Sequence, residues 1–414
     1  MKLNTRKVGV GKQALTTCLG VSSLAISKLS VFKLAVMPIF FSMLYSSHGV
    51  ATEAEIQNGL IENKLLKQHF KNDFRIGVAV NDEIVSGQDP LSAGIISKQF
   101  NTITIENAMK AEIVNPLPDQ FNFTAADQFI DFGKNNNMFV VGHTLVWHNQ
   151  TPDWFFKQKN GEANSPEQQI DRMEQHIKLV AGRYLGKVDA WDVLNEVIGD
   201  DGNYRQTVWS NVIGSGDEMA KAAFTFAAKY APNTELYYND FNAWKPAKRD
   251  GIVRMIKMLQ SEGIKIDGVG IQAHWGLNFP KGHLIEEAID VYAALGLKVM
   301  ITELDIDVLP FTKEGQVIGQ GFMHPQFQEQ EFKTYLDPYS DHLPADIEAK
   351  LAARYTELFD IFKAKREKID RVTFWGLHDG MSWKNDYPIP NRTNYPLLWD
   401  RKHQPKPAFK ALFN

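Results

Sequence analysis

The stretch Val188-Asp-Ala-Trp-Asp-Val-Leu-Asn-Glu196 is a short apolar run that ends on an amide and a carboxylate. A second run, Lys298-Val-Met-Ile-Thr-Glu303, ends on another glutamate. Both runs have the length and the apolar content of buried strands. The two glutamates lie 107 residues apart, which accommodates three strand–helix units of roughly 36 residues each. The spacing therefore predicts that Glu196 and Glu303 end the fourth and seventh strands of a repeating β/α architecture.

Eight such strands are predicted along the chain, with helical patterns between them. The predicted strands are Phe74–Val80, Thr102–Ile105, Met138–Gly142, Val188–Leu194, Glu235–Tyr238, Gly268–Gln272, Lys298–Ile301 and Arg371–Trp375. Predicted helices include Ala125–Lys134, Ser165–Ala181, Glu218–Tyr230, Lys248–Glu262, Leu284–Leu295 and Asp346–Lys368. This alternation predicts a single (β/α)8 TIM barrel within residues 52–414. An open doubly wound sheet is less consistent, because no Gly-x-Gly-x-x-Gly follows the first strand.

Polar and aromatic side chains follow seven of the eight predicted strands. From the second strand onward they are Glu106, Asn107 and Lys110; His143, Trp147 and His148; Asn195 and Glu196; Asn239 and Asp240; Gln272, His274 and Trp275; Glu303 and Asp305; Trp375 and His378. The C-terminal ends of the strands meet at one mouth of a barrel, where barrel enzymes carry their catalytic residues. The pattern therefore predicts an active site at that mouth.

Glu196 and Glu303 are expected to face each other across the mouth. A pair of carboxyl groups suits cleavage of an acetal, since one protonates the leaving oxygen while the other attacks or activates water. Burial of one carboxyl group beside another raises its pKa, which would keep the acid protonated near neutral pH. The alternative is that both glutamates are solvated or ion-paired at strand ends.

Four separated strings closely resemble glycoside hydrolase family 10, the endo-β-1,4-xylanases. They are Ile105-Glu-Asn-Ala-Met-Lys110, Gly142-His-Thr-Leu-Val-Trp-His148, Trp191-Asp-Val-Leu-Asn-Glu196 and Ile301-Thr-Glu-Leu-Asp305. The resemblance extends from about Phe74 to Phe409. It implies a retaining double displacement on xylan with Glu303 as nucleophile and Glu196 as acid/base, their carboxyl groups being roughly 5–5.5 Å apart.

The same resemblance implies roles for further residues. Asn195 would hydrogen-bond the 2-hydroxyl of the sugar at the cleavage point, and His274 would hold Glu303 ionised with support from Gln272 and Asp305. Other expected sugar contacts are Glu106, Asn107 and Lys110 on the non-reducing side, His143 and Trp147 beneath the cleavage point, Trp375 and Trp383 as aromatic walls, and Tyr238, Asn239 and Trp275 on the product side. The alternatives are a strand-end cap for Asn195, a structural role for His274, a buried ion pair for Glu106 and Lys110, and plain core positions for Trp375 and Trp383.

The charge distribution separates a leader from the rest of the chain. Six of the 45 lysines and arginines precede Glu53, the first acidic residue, so the rest carries 39 basic against 49 acidic residues, a net charge of −10. Such a surface lacks the basic footprint that nucleic-acid binding needs. The only cysteine is Cys18, which excludes disulfides and cysteine-based zinc sites from the predicted barrel.

Residues 1–51 are predicted to be an export signal. A basic stretch precedes the apolar run Leu34–Tyr45 and small residues that end at Ala51, an order typical of a cleaved signal peptide. The short run and Pro38 argue against a membrane span, although the long basic part leaves an uncleaved anchor open. We therefore expect a secreted or periplasmic monomer, cleaved near Ala51 and without stable membrane contact.

No metal or cofactor is expected. His143 and His148 are five residues apart, unlike the i, i+4 pair of a helical zinc site. Two other functions stay open: a retaining endo-glucanase on the same barrel, and a polysaccharide-binding protein without catalysis. Residues 306–345 exceed the usual length of a βα connection. We interpret them as an extended loop after the seventh strand, either contacting substrate at the cleft or crossing the surface.

Overall fold

The protein is described here by a computed structural model over residues 64–310, 335–387 and 390–414. The predicted leader, residues 1–51, lies outside these ranges, as does much of the predicted loop after the seventh strand. Within these ranges, no helix combines the length and the apolar character that a bilayer crossing requires.

Parallel strands form one closed barrel. They are β1 (Arg75–Val80), β2 (Thr102–Ile105), β3 (Phe139–Val146), β4 (Ala190–Asn195), β5 (Glu235–Asp240), β6 (Gly268–Ile271), β7 (His274–Gly276), β8 (Lys298–Asp307) and β9 (Ile369–Phe374). Strands β1 to β6 pair in chain order, β8 pairs with β6 and β9, and β9 pairs with β1, which closes the sheet. The short β7 pairs with the part of β8 that lies beyond β6. β6 and β7 therefore share one of the eight positions in the barrel. The predicted TIM barrel is confirmed.

Helices connect the strands. They are α1 (Leu66–His69), α2 (Asp82–Val85), α3 (Pro90–Gln99), α4 (Ala111–Val114), α5 (Thr124–Asn135), α6 (Pro166–Arg183), α7 (Val208–Ile213), α8 (Gly216–Tyr230), α9 (Pro246–Ser261), α10 (Gly282–Ala293), α11 (Ala345–Ala364) and α12 (Pro407–Ala411). Short 3-10 turns occur at Asp153–Phe156, Asp379–Met381 and Trp383–Asn385. Local sequence sets some of these ends: Ser165 and Gln168 form a reciprocal capping box that starts α6. The six predicted helices lie within four residues of the observed ends.

The alternation of side chains along the strands produces two apolar cores. Inside the barrel, Val141, Ala190, Tyr237 and Met300 pack together with Phe139 at their edge. The larger cluster of buried apolar side chains includes residues of both strands and helices. The interior group occupies the N-terminal halves of its strands. The C-terminal halves are consequently available for polar side chains.

Four strands extend beyond the predicted apolar runs, and β4 does so by one residue, Asn195. β3 is four residues longer at its C-terminal end, β5 two and β8 six. The added residues include polar ones that keep the ladder pairing, such as Asn239 opposite Gly270. Polar side chains can occupy these positions because they satisfy one another inside the mouth. The strands therefore carry site residues that the sequence assigned to loops.

Gly142 shows how two of the motif strands fit together. Gly142 on β3 is the register partner of Trp191 on β4, whose indole is fully buried. A Cβ atom at position 142 would lie 2.2 Å from this ring, far inside van der Waals contact. The buried indole therefore requires glycine on the neighbouring strand.

We expect Gly142→Ala to lower the free energy of unfolding by about 1–3 kcal/mol, since the added methyl group overpacks the Trp191 site. Gly94→Ala in α3 is the control, because a Cβ there meets nothing within 4 Å. It should leave stability unchanged or raise it by up to about 1 kcal/mol. Urea unfolding of both variants measures the difference, and equal stabilities would contradict the packing argument.

Candidate active site

Glu196 and Glu303 belong to one hydrogen-bonded site at the barrel mouth. Glu303 lies within β8 and Glu196 directly follows β4. Asn239 Nδ2 donates to Glu303 Oε1 at 2.7 Å and to Asn195 Oδ1 at 2.9 Å. Gln272 Nε2 donates to Glu196 Oε1 at 3.0 Å and lies 3.5 Å from Asn195 Oδ1. The Asn195 amide therefore links the donor of one carboxylate to the donor of the other.

The Asn195 amide has a second possible orientation. Rotated by half a turn, its nitrogen would donate to the Asn239 carbonyl at 3.2 Å and its oxygen would accept from Trp147 Nε1 at 3.2 Å. That orientation also places two amide nitrogens 2.9 Å apart, those of Asn195 and Asn239. Because Asn239 Nδ2 already donates to Glu303, the first orientation is favoured, since it avoids two facing donors.

Asn195 and Glu196 are consecutive residues, yet both side chains reach the site. Successive residues of a regular strand point to opposite faces. Glu196 has a φ of 58°, in the left-handed region, and this turn redirects its side chain. Such a conformation costs of order 1–3 kcal/mol in a non-glycine residue and persists only where neighbouring contacts hold it. The strained residue is thus one of the two predicted catalytic carboxylates.

Asn239 has a different place from the one expected. The sequence analysis predicted that Asn239 lies with the product-side residues, but its side-chain amide donates directly to Glu303. Thr302 Oγ1 donates to Asn239 Oδ1 at 2.6 Å, which fixes Nδ2 as the group that faces the carboxylate. The only sequence signal for this role was its position at the end of the fifth strand.

His274 bridges Glu303 to a second buried carboxylate. Its Nε2 lies 3.0 Å from Glu303 Oε2, and its Nδ1 lies 3.0 Å from Asp305 Oδ1. Burial lowers the pKa of His274, but the charges of Asp305 and Glu303 and the hydrogen bonds to them outweigh burial and raise the pKa to about 9. His274 is therefore a cation at neutral pH that donates from both ring nitrogens. The structure brings these three predicted residues together.

Asp305 in turn lies among positive charge and donors. Trp383 Nε1 donates to its Oδ2 at 2.9 Å, and Lys384 Nζ lies 3.5 Å from its Oδ1. Burial raises the pKa of Asp305, but the charges of His274 and Lys384 lower it overall. Lys384, Asp305, His274 and Glu303 thus form a row of alternating charge. Sequence reasoning missed Lys384, because it lies in a 3-10 turn instead of at a strand end.

The Glu196 carboxylate accepts two hydrogen bonds from neutral donors. Besides Gln272, Trp147 Nε1 donates to Glu196 Oε2 at 3.0 Å. Burial raises the pKa of Glu196, but the Gln272 hydrogen bond, the charge of His148 and the Trp147 hydrogen bond together lower it. The expected raised pKa of Glu196 is therefore wrong, because these groups stabilise the charged form more than burial destabilises it.

The residues predicted for the non-reducing side surround Lys110. Its Nζ lies 3.0 Å from Asn107 Oδ1, 2.8 Å from Gln150 Oε1 and 4.7 Å from the centre of the Trp147 ring. Burial lowers the pKa of Lys110, while the charge of Glu106 opposes this effect. Burial likewise raises the pKa of Glu106 against the charge of Lys110. The two groups interact electrostatically, and Gln150 joins the predicted set.

Trp375 and Trp383 contact the histidines of the mouth. The Trp375 ring centre lies 5.4 Å from that of His143 and 6.4 Å from that of His274. The Trp383 ring centre lies 5.0 Å from that of His274. His143 is held by Asp192, whose Oδ2 is 2.9 Å from His143 Nδ1. Indole rings beside convergent polar groups suit a sugar ring, which has both an apolar face and hydroxyls.

Two residues expected on the product side lie behind the site instead. Tyr238 is fully buried, and its hydroxyl donates to Asp240 and accepts from two backbone N–H groups after β4. Trp275 is 1% exposed and packs against Phe362. Neighbouring residues of a strand face opposite sides, so Tyr238 points away from the mouth that Asn239 enters. Neither Tyr238 nor Trp275 presents a ring to a ligand in the mouth.

Asp89, His378 and His403 form a separate group whose possible ligand atoms lie within 4.8 Å of one another. Protein contacts engage both rings. His378 Nδ1 accepts from the Gly380 backbone N–H at 3.1 Å, and His403 Nε2 lies 2.8 Å from Ser92 Oγ. An Nδ1 atom that accepts a hydrogen bond leaves the proton on Nε2, which then cannot ligate a metal. These contacts tie the segment after β9 to α3.

We expect the His274 imidazole to titrate near pH 9 in the free protein. Because this pKa is raised, the stability it contributes is complete below pH 6.5, the unfolded value, and is lost as pH rises through about 9. Asp305→Asn should lower the His274 pKa, since it removes the largest raising influence. Imidazole NMR titration measures both values.

The matched control is Asp192→Asn, which alters the histidine–carboxylate pair at His143 and should leave the His274 titration in place. The row of alternating charge would not set the protonation of His274 if its signal titrated near pH 6.5, or if Asp305→Asn left its pKa unchanged.

The chain matches the model of glycosyl hydrolase family 10 over residues 65–414. Endo-1,4-β-xylanase A of Xylanibacter ruminicola is 40% identical over 341 residues, covering 82% of this chain and 90% of that protein. An endo-1,4-β-xylanase of Geobacillus stearothermophilus is 38% identical over 353 residues, covering 84% and 98%. The structure of a GH10 endoxylanase from a sugarcane soil metagenome has a TM-score of 0.77 and 42% identity, covering 84% and 98%. The chain therefore belongs to glycosyl hydrolase family 10 and is a glycoside hydrolase.

Proposed function

We propose that this chain is an endo-1,4-β-xylanase that cleaves internal bonds of xylan by a retaining double displacement. Glu303 is the nucleophile and Glu196 the acid/base. The observation that carries this proposal is the pairing of Glu303 with the His274 cation inside a site that also holds Glu196. Family membership and the xylanase names of the relatives support xylan as the substrate.

The surroundings of Glu303 suit a nucleophile. Its Oε2 faces the His274 cation and its Oε1 accepts from Asn239. Both contacts stabilise the charged form and fix the side chain in one direction. In the first step, Glu303 forms a bond to the anomeric carbon while the bond from that carbon to the glycosidic oxygen breaks. The departing oxygen takes the proton of Glu196.

The surroundings of Glu196 suit a group that changes protonation. Its partners Gln272 and Trp147 are neutral donors, so no permanent ion pair has to break when it gains a proton. Entry of a sugar removes water from the carboxylate, and this desolvation raises its pKa. In the second step, Glu196 takes a proton from water while that water releases the sugar from Glu303.

The remaining mouth residues are proposed to hold the sugar chain. Asn195 lies between the two carboxylates, where the 2-hydroxyl of the reacting sugar is expected. Trp375 and Trp383 offer aromatic faces to the sugar rings. Glu106, Asn107, Lys110, His143 and Gln150 supply the polar partners around them. Tyr238 and Trp275 act only by supporting this wall from behind.

Azide rescue with an aryl β-xylobioside distinguishes the two roles. Glu303→Ala and Glu196→Ala should each lower xylan hydrolysis by more than roughly a thousandfold. In Glu303→Ala, azide takes the place of the nucleophile, displaces the phenolate directly and yields the α-xylobiosyl azide. In Glu196→Ala, the covalent intermediate still forms, and azide attacks it to yield the β-azide. NMR of the products gives the anomeric configuration.

Glu112→Ala, at an exposed position of α4, is the control and should retain full activity. Azides of the opposite configuration in the two variants would exchange the assigned roles. The same anomer from both variants would refute the double displacement.

We also propose that the chain is exported through residues 1–51 and works as a monomer. The order of basic, apolar and small residues supports export. Expression with the native leader in a bacterial host, followed by N-terminal sequencing and light scattering, should give a product that begins near Thr52 and has the mass of one chain. An intact leader on cell-associated protein, or a dimer mass, would contradict this.

A further inference from the structure

A groove lies beside the catalytic mouth, between the segments that follow β2 and β3. Residues 115–121, residues 153–161 and one side of α6 line a cavity of about 680 Å3. A second depression of about 480 Å3 continues along residues 158–164 and the same helix. The two share Gln158, Lys159, Arg172 and Gln175. We call this continuous feature the α6 groove, and each part has the volume of a ligand site.

An exposed aromatic ring lies on the wall of the α6 groove. Phe121 is 52% exposed, and it and Tyr335 are the only aromatic residues among the exposed large apolar side chains of residues 64–310, 335–387 and 390–414. The Phe121 ring is supported by Phe123, with which it stacks at 6.5 Å. Further in, Trp154 lies under the Arg172 guanidinium, 4.7 Å from the ring centre. An exposed aromatic face beside polar groups can stack on the apolar face of a sugar ring while the polar groups bind its hydroxyls.

The polar lining of the α6 groove fits an uncharged ligand. Its charged members balance, with three basic residues against three acidic ones: Lys157, Lys159, Arg172, Asp119, Asp153 and Asp171. Amide side chains make up most of the remaining polar lining, and Gln175 among them is exposed. A balanced surface neither attracts polyanions nor repels a neutral polymer. Amides, by contrast, can both donate to and accept from hydroxyl groups.

A buried histidine in the groove lacks good partners. His176 is 3% exposed and lines the cavity. Apart from a weak contact with the Leu145 backbone, neither ring nitrogen has a hydrogen-bond partner within the described parts of the chain. Buried polar groups without partners are uncommon, because each costs about 1–3 kcal/mol.

We propose that the α6 groove is a second carbohydrate-binding site, which takes a segment of a neutral β-1,4-linked pentosan chain. The identity of this polymer rests on the proposed function. The groove is formed by segments on the same rim of the barrel as the catalytic mouth, since Trp154 and Trp147 belong to the same connection after β3. A polymer bound there is held close to the cleft without entering it.

The test pairs polymer binding with cleavage of a short substrate. Phe121→Ala/Gln175→Ala removes the exposed ring and an exposed amide of the groove. Leu185→Ala/Gln68→Ala removes an exposed apolar side chain and an exposed amide elsewhere. Binding to insoluble neutral xylan is measured by depletion in a Glu303→Ala background. Hydrolysis of aryl β-xylobioside and of insoluble xylan is measured with Glu303 intact.

The groove variant should bind xylan about three- to tenfold more weakly than the control variant, and its rate on insoluble xylan should fall. Its kcat/KM on the aryl xylobioside should stay unchanged. Equal xylan binding by the two variants would overturn the proposal, as would an equal loss on the short substrate. If the parent with Glu303 intact does not cleave xylan, the proposed function fails, whereas weaker xylan binding by the groove variant still supports the groove.

Discussion

The buried negative charge of Glu303 is the constraint on which the site depends. Glu303 is only 5% exposed, and a buried carboxylate needs hydrogen-bond donors and opposite charge in place of the water that it loses. His274 and Asn239 do so at its two oxygens. The His274 cation is itself buried, and the negative charge of Asp305 compensates it. The positive charge of Lys384 in turn compensates Asp305. Removing any one member leaves its neighbour uncompensated, so the row acts as one unit.

The barrel explains why this row can form. Glu303 and Asp305 are two residues apart on β8 and therefore share a face. The sixth barrel position is interrupted at Ala273, whose φ is 67°, and resumes as β7, where His274 pairs with Asp305 in the ladder. A β8 that ended with its apolar run would offer no partner for β7. The interruption of β6 and the length of β8 are thus two parts of one arrangement.

The fold could be predicted because eight apolar runs at regular spacing leave few ways to close a sheet, and strand ends then indicate which residues approach the site. Side-chain direction could not be predicted as well. Tyr238 and Asn239 are neighbours that the sequence treated alike, yet they point to opposite faces. Asn195 and Glu196 are also neighbours, yet both enter the mouth, because Glu196 adopts a left-handed φ that no residue type announces.

The direction of the Glu196 pKa shift was predicted wrongly for a related reason, since it too depends on where side chains point. The sequence shows that two carboxyl groups share a mouth, but not which donors point at each one. In the structure, the His274 cation and the Asn239 amide face Glu303, whereas only neutral groups donate to Glu196. When Glu303 bonds to a sugar in the proposed mechanism, its charge disappears, and the loss of a nearby negative charge lowers the pKa of Glu196. Glu196 then favours the ionised form just when a base is needed. His274 meanwhile keeps Asp305 as a partner and holds its position through both steps. In the proposed mechanism, two side chains of the same type thus take different roles, because one accepts a hydrogen bond from a cation and the other accepts only from neutral donors.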